Sequence, residues 1–230
     1  MSDIFDCRDD AQLLPGMRQA RQAIGRGALV VIPTDTVYGV AADAFNAAAV
    51  QRLLDAKGRT RESPPPVLVA GTAMVRALVA DLPEPVERLI EKFWPGGLTI
   101  VLPAQPSLTW DLGETRGTVA VRMPDHRIAL ELIEETGPLA VSSANLTGEA
   151  AAVDVLSAHQ MLGDRIDVYL DSGPVATGVP STILDATGLA RREPGTARIL
   201  RIGAVSADEI HEVIGDLLED PAAPVETDAD

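Results

Sequence analysis

Apolar positions along this chain switch repeatedly between helical spacing and short continuous runs. From Asp10 to Arg26 they recur at helical intervals and end at Gly25-Arg26-Gly27; Ala28 to Ile32 then has the length and composition of a buried strand. Asn46 is placed to cap a helix from Ala47 to Ala56, which Gly58 would terminate, and that helix delivers Lys57, Arg59 and Arg61 to its C-terminal loop. Further strands are predicted at Val67 to Ala70, Leu98 to Leu102, Thr118 to Arg122, Leu139 to Ser142, Val168 to Leu170, Ser181 to Asp185 and Arg198 to Arg201. Helices are predicted near Thr72–Val79, Pro85–Phe93, His126–Glu135 and Asp154–Leu162, and Ser206 with Glu209 forms a capping box for a last helix. This interleaving predicts an α/β protein, a mixed sheet with helices packed on it.

Length and composition restrict the picture further. A chain of 230 residues suffices for one substantial core, so residues 1–218 read as one domain. The apolar fraction is 46% with only 3% aromatic residues, so that core must be built from Ala, Val, Leu and Ile. A lone cysteine, Cys7, excludes an internal disulfide and a cysteine-based metal cluster. No apolar run is long enough to cross a bilayer, and the first residues lack the basic and apolar regions of a signal peptide. A cytoplasmic protein without a membrane partner is expected. The formal charge of −15 would repel nucleic acid unless basic residues were gathered on one face. Five acids and no bases lie in Glu219 to Asp230, which reads as a disordered tail and leaves about −10 on the body.

The candidate chemistry begins at Pro33-Thr34-Asp35-Thr36-Val37-Tyr38-Gly39, directly after the first apolar run. Next comes Lys57-Gly58-Arg59, in a chain with 17 arginines and two lysines, Lys57 and Lys92. Where Arg is the default cation, a Lys beside two arginines suggests a need for a compact, mobile ammonium. Ser142-Ser143-Ala144-Asn145 and Pro180-Ser181-Thr182 place small hydroxyls and free N–H groups at strand ends, where anion-binding nests form. Taken singly, each segment also suits a plain turn, a helix C-cap or a surface ion pair. Phe93-Trp94 reads as a packed aromatic corner. There is no G-x-x-x-x-G-K-[ST] loop, no G-x-G-x-x-G after a strand and no H-E-x-x-H, and the three histidines lie far apart.

Together the segments form an ordered series over about residues 10 to 205: Pro33 to Gly39, Lys57-x-Arg59, Phe93-Trp94-Pro95-Gly96, Arg122-x-Pro124-x-His126, Ser143-Ala144-Asn145 with Gly148, Ser181-Thr182 and Leu200-Arg201-x-Gly203. In this series the chain resembles the YrdC-like family of threonylcarbamoyl-AMP synthases. The resemblance implies a twisted, mostly parallel mixed sheet with surrounding helices and a large, concave, positively lined cavity. It implies synthesis of L-threonylcarbamoyl-AMP and pyrophosphate from L-threonine, bicarbonate or CO2, and ATP, with Mg2+ arriving on the ATP and no metal ligand assigned on the protein. A tRNA threonylcarbamoyl transferase complex would take the product, and any contact with tRNA itself would be weak or indirect. Carried over by motif position, Lys57 and Arg59 are the expected catalytic residues. ATP would be held by Lys57, Arg59, Ser63, Thr118, Ser143, Asn145 and Arg201, and threonine by Thr36, Arg122 and Ser181. Lys57 and Arg59 are expected to reach solvent in the cavity, and the loop from Lys57 to Pro66 to close over ATP. The chain departs from the family pattern at Thr60, where a proline is usual, at Leu68, where a histidine is frequent, and at Gly97.

Two other classes remain open from sequence: an RNA- or ribosome-binding module using the same concave surface without turnover, and a carbamoyl-group transferase or hydrolase on the same fold. The charge and the scarcity of aromatics argue against the first. The absence of zinc-type Cys and His clusters argues against fusion to the larger machinery of the second. A chain shortened from Glu219 is expected to retain pyrophosphate release; loss of activity on truncation would show that the acidic segment belongs to the working protein.

Overall fold

The computed structural model describes residues 2–191, 193 and 195–219. Among them, ten strands form one sheet. In chain order these are β1 (Asp3–Asp6), β2 (Val30–Ile32), β3 (Gly39–Asp43), β4 (Val67–Leu68), β5 (Leu98–Pro103), β6 (Thr118–Arg122), β7 (Leu139–Ser143), β8 (Val168–Asp171), β9 (Thr182–Asp185) and β10 (Arg198–Arg201). Their spatial order is β1-β8-β2-β3-β7-β4-β6-β5-β9-β10. The sheet is mixed, as expected, but parallel pairings do not predominate. β1–β8, β2–β8, β4–β6 and β5–β9 are parallel, and the other five neighbouring pairs are antiparallel.

Helices cover both faces, which explains why the strands read as unbroken apolar runs. Val30 and Ile32 of β2 pack with α1 (Asp10–Gly25) and α5 (Arg127–Thr136). Val31 points the other way, into a cluster with α2 (Ala47–Lys57) and α6 (Val155–Leu162). A third cluster joins β4, β5, β6 and β9 to α3 (Thr72–Leu78), α4 (Glu84–Phe93) and α7 (Ala207–Ile214). Trp94 belongs to this core and donates Nε1–H to the Leu98 carbonyl at 2.6 Å, which bears out its structural reading. Cys7 is buried, and burial pushes its thiol up to about 11, so it is unreactive as a nucleophile.

Two strands have no clear signature in the sequence. β3 is Gly-Val-Ala-Ala-Asp, poor in β-branched residues, and is held by backbone pairing to β2 on one side and β7 on the other. β1 is a short edge strand joined only to β8. The expected tail lies outside the described residues except for Glu219. That residue is part of the folded body: its N–H donates to the Ala197 carbonyl at 2.8 Å, and its carboxylate accepts from Thr196 at 2.7 Å. Truncation should therefore begin beyond it.

The end of α2 positions the site. Asn46 caps its start by accepting from the Ala49 N–H at 3.1 Å, and Gly58 ends it in the left-handed region with φ +65°. Nothing lies within 4 Å of a Cβ built on Gly58, so the cost of replacing it is conformational. Gly58→Ala should lower stability by about 1 kcal/mol, read as a fall in the urea midpoint at unchanged m-value; an unchanged midpoint would show that this cap does not hold the loop.

Candidate active site

One cavity of about 530 Å³ opens where the turn after β2, the loop after α2 and the ends of β5, β6, β7, β9 and β10 converge. Eight of the ten residues expected from sequence line it: Thr36, Arg59, Ser63, Thr118, Arg122, Ser143, Ser181 and Arg201. Lys57 and Asn145 do not.

The turn carrying Thr36 is organised by Thr34. Its hydroxyl donates to the Val37 carbonyl at 2.6 Å and accepts from the N–H groups of Thr36 and Val37 at 3.2 and 3.3 Å. This is a local side-chain turn of the kind that Thr favours. Beside it, Arg122 at the end of β6 is 6% exposed and anchored at three points. Nε donates to the Gly96 carbonyl at 2.8 Å, Nη1 to the Thr36 hydroxyl at 2.9 Å and Nη2 to Asp35 at 2.6 Å. One N–H on each terminal nitrogen is left over, two donors that a carboxylate could take. Burial lowers the pKa of this guanidinium; Asp35 opposes that shift and Arg201 adds to it.

Arg201 lies further along the same wall, with Nε and Nη2 donating to the Ser181 carbonyl at 3.1 and 2.6 Å and Nη2 also reaching the Ser181 hydroxyl at 3.2 Å. That hydroxyl is shared with Thr99 at 2.8 Å. Arg59 donates Nη1 to the Ser142 hydroxyl at 3.1 Å. Its pKa is lowered by burial, and that of Arg201 by burial and then by Arg59. Among the described residues no carboxylate offsets either shift. Two guanidiniums that repel each other in a sheltered cavity form a site that an anion stabilises.

Lys57 departs from expectation. It is 1% exposed, and its ammonium donates to the carbonyls of Ser143 and Asn145, the latter at 2.6 Å, and more weakly to Asn145 Oδ1 at 3.4 Å. The last turn of α2 points the side chain under the β7 loop rather than into the cavity, and the three acceptors compensate the buried charge. Burial, then Arg59, pulls its pKa down to about 7, while the surrounding oxygens favour the charged form. Asn145 likewise braces its own loop, donating to the carbonyls of Leu146 and Glu149 at 2.8 Å each.

Sequence reasoning left Thr34, Asp35, Thr99 and Ser142 without assigned roles, although Thr34, Asp35 and Ser142 stand inside the quoted motifs and Thr99 in the predicted strand from Leu98 to Leu102. Arg116, which also lines the cavity, has no motif at all and takes φ +52°. Leu68 lines the wall as an apolar residue, and Thr34 and Thr99 line the same cavity with hydroxyls.

At the rim, the segments on either side of α2 are fastened to the β5–β6 loop, Phe45 from the turn before the helix and Arg61 from the loop after it. Arg61 pairs with Asp111 at 2.5 Å, the Arg61 carbonyl accepts from the Glu114 N–H at 2.8 Å, and Phe45 stacks on Trp110 with ring centroids 5.5 Å apart. Gly113 makes this approach possible: φ is +104°, and a Cβ there would lie 2.6 Å from the Arg61 carbonyl oxygen.

Comparison with known proteins bears on the family and the fold. The family model Sua5_yciO_yrdC, described as "Telomere recombination", matches residues 22–203. The chain belongs to the Sua5/YciO/YrdC family. A Mycobacterium leprae member that carries the provisional name threonylcarbamoyl-AMP synthase is 50% identical over 215 residues, covering 94% of this chain and 95% of that one. The Pyrococcus abyssi threonylcarbamoyl-AMP synthase is 38% identical over 90% of this chain, which spans 59% of that longer family member. Among solved structures, P. abyssi Sua5 complexed with L-threonine superposes with TM-score 0.81 at 36% identity, covering 88% of this chain and 58% of that one. E. coli YciO, at 22% identity, TM-score 0.78 and coverage of 91% and 100%, shares the fold.

Because Arg201 faces Arg59 without a carboxylate, Arg201→Gln should weaken pyrophosphate binding by roughly tenfold or more, the scale of one charge-assisted contact, while the melting temperature at low ionic strength does not fall. Calorimetric titration and a thermal melt give both values, and equal losses of binding and stability would make Arg201 a structural residue.

Proposed function

We propose that this protein makes L-threonylcarbamoyl-AMP and pyrophosphate from L-threonine, bicarbonate or CO2, and ATP, the first step of N6-threonylcarbamoyladenosine formation in tRNA. The observation that carries this reading is the pairing, in one cavity, of two carboxylate-free arginines, Arg59 and Arg201, with the corner made by Arg122, Thr36 and Ser181. The arginines suit a triphosphate, and the corner suits an amino acid with a carboxylate and a hydroxyl. The names and the threonine complex of the related synthases support the same assignment.

Threonine's neutral amine first bonds to the carbon of CO2, releasing a proton, or of bicarbonate, releasing water, and becomes a carbamate. A carbamate oxygen then attacks the α-phosphorus of ATP, the bond from that phosphorus to the oxygen bridging the β-phosphate breaks, and pyrophosphate leaves with the electron pair. Several negative groups meet in this step, so catalysis depends on positioning and on donors already aimed at the charge, not on a strong base. Arg59 and Arg201 hold the triphosphate and follow its charge to the leaving group, with Ser63, Thr118 and Ser143 as further ATP contacts. Arg122 clamps the threonine carboxylate with its two remaining N–H groups. Thr36 and Ser181, supported by Thr34 and Thr99, take the threonine hydroxyl and amine. A site that hydrogen-bonds the hydroxyl rejects valine strongly, whereas serine is disfavoured only by the missing methyl, worth about 1–3 kcal/mol.

Mg2+ enters as part of the ATP substrate. Among the described residues no group of three or more His, Cys, Asp or Glu is placed to hold a metal, and the acidic residues lining the cavity are Glu62 and Glu114. The product is passed to a tRNA threonylcarbamoyl transferase complex, and we place the protein in the cytoplasm; no helix among the described residues is long and apolar enough to cross a membrane.

The test is pyrophosphate release from ATP in the presence of bicarbonate with L-threonine, L-serine, L-valine or no amino acid. Release should require an amino acid with the side-chain hydroxyl, fall about fivefold to hundredfold when serine replaces threonine and vanish with valine, and Arg59→Ala should lower kcat/KM at least about tenfold to hundredfold, as expected for losing charged contacts to phosphate. Release independent of threonine would refute the assignment, and an RNA affinity that falls with salt in the absence of turnover would favour a binding module.

A further inference from the structure

Lys57 sits in the Lys-x-Arg element beside the cavity yet contributes nothing to its wall. Its bonds all run to one neighbour, the segment that follows β7. The ammonium takes the carbonyls of Ser143 and Asn145, while the Lys57 carbonyl accepts from the N–H of Thr147 at 3.0 Å and from its hydroxyl at 2.9 Å. Residues 143–147 are thereby wound around one lysine. The same segment begins at the wall where Ser142 holds Arg59 and where Ser143 lines the cavity.

A carbonyl oxygen is the negative end of a peptide dipole, and beside a triphosphate it is repulsive. Two such oxygens, at Ser143 and Asn145, belong to a loop adjoining the cavity, and both are turned onto Lys57. An arginine could not replace it, because the planar fork cannot converge on oxygens collected around one point, whereas an ammonium can. This accounts for a lysine at this position in a chain whose other cations are almost all arginine.

We propose that Lys57 is a positioning residue, acting on ATP through the Ser143–Asn145 loop: its buried ammonium gathers the loop's carbonyl oxygens away from the cavity and so leaves hydroxyl and guanidinium donors facing the triphosphate. The inference rests on the reading of the cavity as an ATP site. Lys57 itself makes no contact with phosphate and stays in its carbonyl cage when ATP binds.

The chain has two lysines, and the second, Lys92, is exposed, which makes the ammonium observable on the intact protein. With 15N-labelled lysine and arginine side chains, the protected Lys57 Nζ signal should be distinct from the fast-exchanging Lys92, and Lys92→Arg confirms the assignment. On adding ATP with Mg2+, the side-chain Nε signals of Arg59 and Arg201 should move while Lys57 Nζ keeps its shift and its protection from exchange. Movement of Lys57 Nζ together with coupling to 31P would overturn the proposal and leave the ATP site standing. Movement of none of the three would overturn both. In kinetics, Lys57→Met and Lys57→Arg should each raise the KM for ATP about tenfold, equivalent to about 1.4 kcal/mol, with the KM for threonine little changed. Full rescue by arginine would also overturn the proposal, since it would show that charge alone, and not a point ammonium, is required.

Discussion

Positive charge without a partner is the constraint around which the site is arranged. Arg59 and Arg201 face one cavity, repel each other and find hydroxyls and a carbonyl where most surface arginines of this chain find a carboxylate. Such an arrangement lowers the stability of the empty protein and is tolerated because a rigid sheet holds it from behind. Ser142 is paired with Val40 in the sheet and Ser181 immediately precedes Thr182, the first paired residue of β9, so the guanidiniums that lean on them are held close to the paired backbone. Arg122 shows the contrasting solution. It is more deeply buried and therefore needs Asp35, which neutralises it while leaving two N–H groups for a ligand.

An acidic protein can bind a polyanion only if its field is divided in this way. The net charge of −15 acts at long range and is screened within about 10 Å in ordinary salt. Inside the cavity the local balance is reversed, since four arginines and two glutamates line it. A small anion that diffuses in meets the local field, whereas an extended polyanion such as RNA meets the acidic exterior. The charge therefore favours a nucleotide substrate over a nucleic acid one.

Much of this was legible in the residues. The helices with strong caps, α2 and α7, appear where Asn46, Gly58, Ser206 and Glu209 place them, because capping is local chemistry. The strands flanked by helices on both faces were visible as apolar runs. β3 was not, since Gly39, Ala41 and Ala42 gain their strand geometry from neighbours on either side and not from their own preference. The site shows the same division. Motif order located the eight residues that line the cavity, but no spacing rule distinguishes a lysine that reaches outward from one folded under a loop. That difference depends on where the carbonyls of Ser143 and Asn145 point, which is a tertiary fact. Asp35 was overlooked for a related reason, as its partner is 87 residues away.

The fastening at the rim bears on how freely that edge of the cavity moves. An exposed ion pair is worth about 0–1 kcal/mol, an aromatic stack about 0.5–1.5 kcal/mol and one amide hydrogen bond about 0.5–1.5 kcal/mol. Arg61 with Asp111, Phe45 with Trp110 and the Glu114 N–H together therefore hold the β5–β6 loop against the segments at the two ends of α2 by about 1–4 kcal/mol. At that strength roughly one molecule in ten to one in a thousand is unfastened at any moment, without input from ATP or from another protein. How freely this edge of the cavity moves is therefore a spontaneous equilibrium that two side-chain contacts and one backbone bond set.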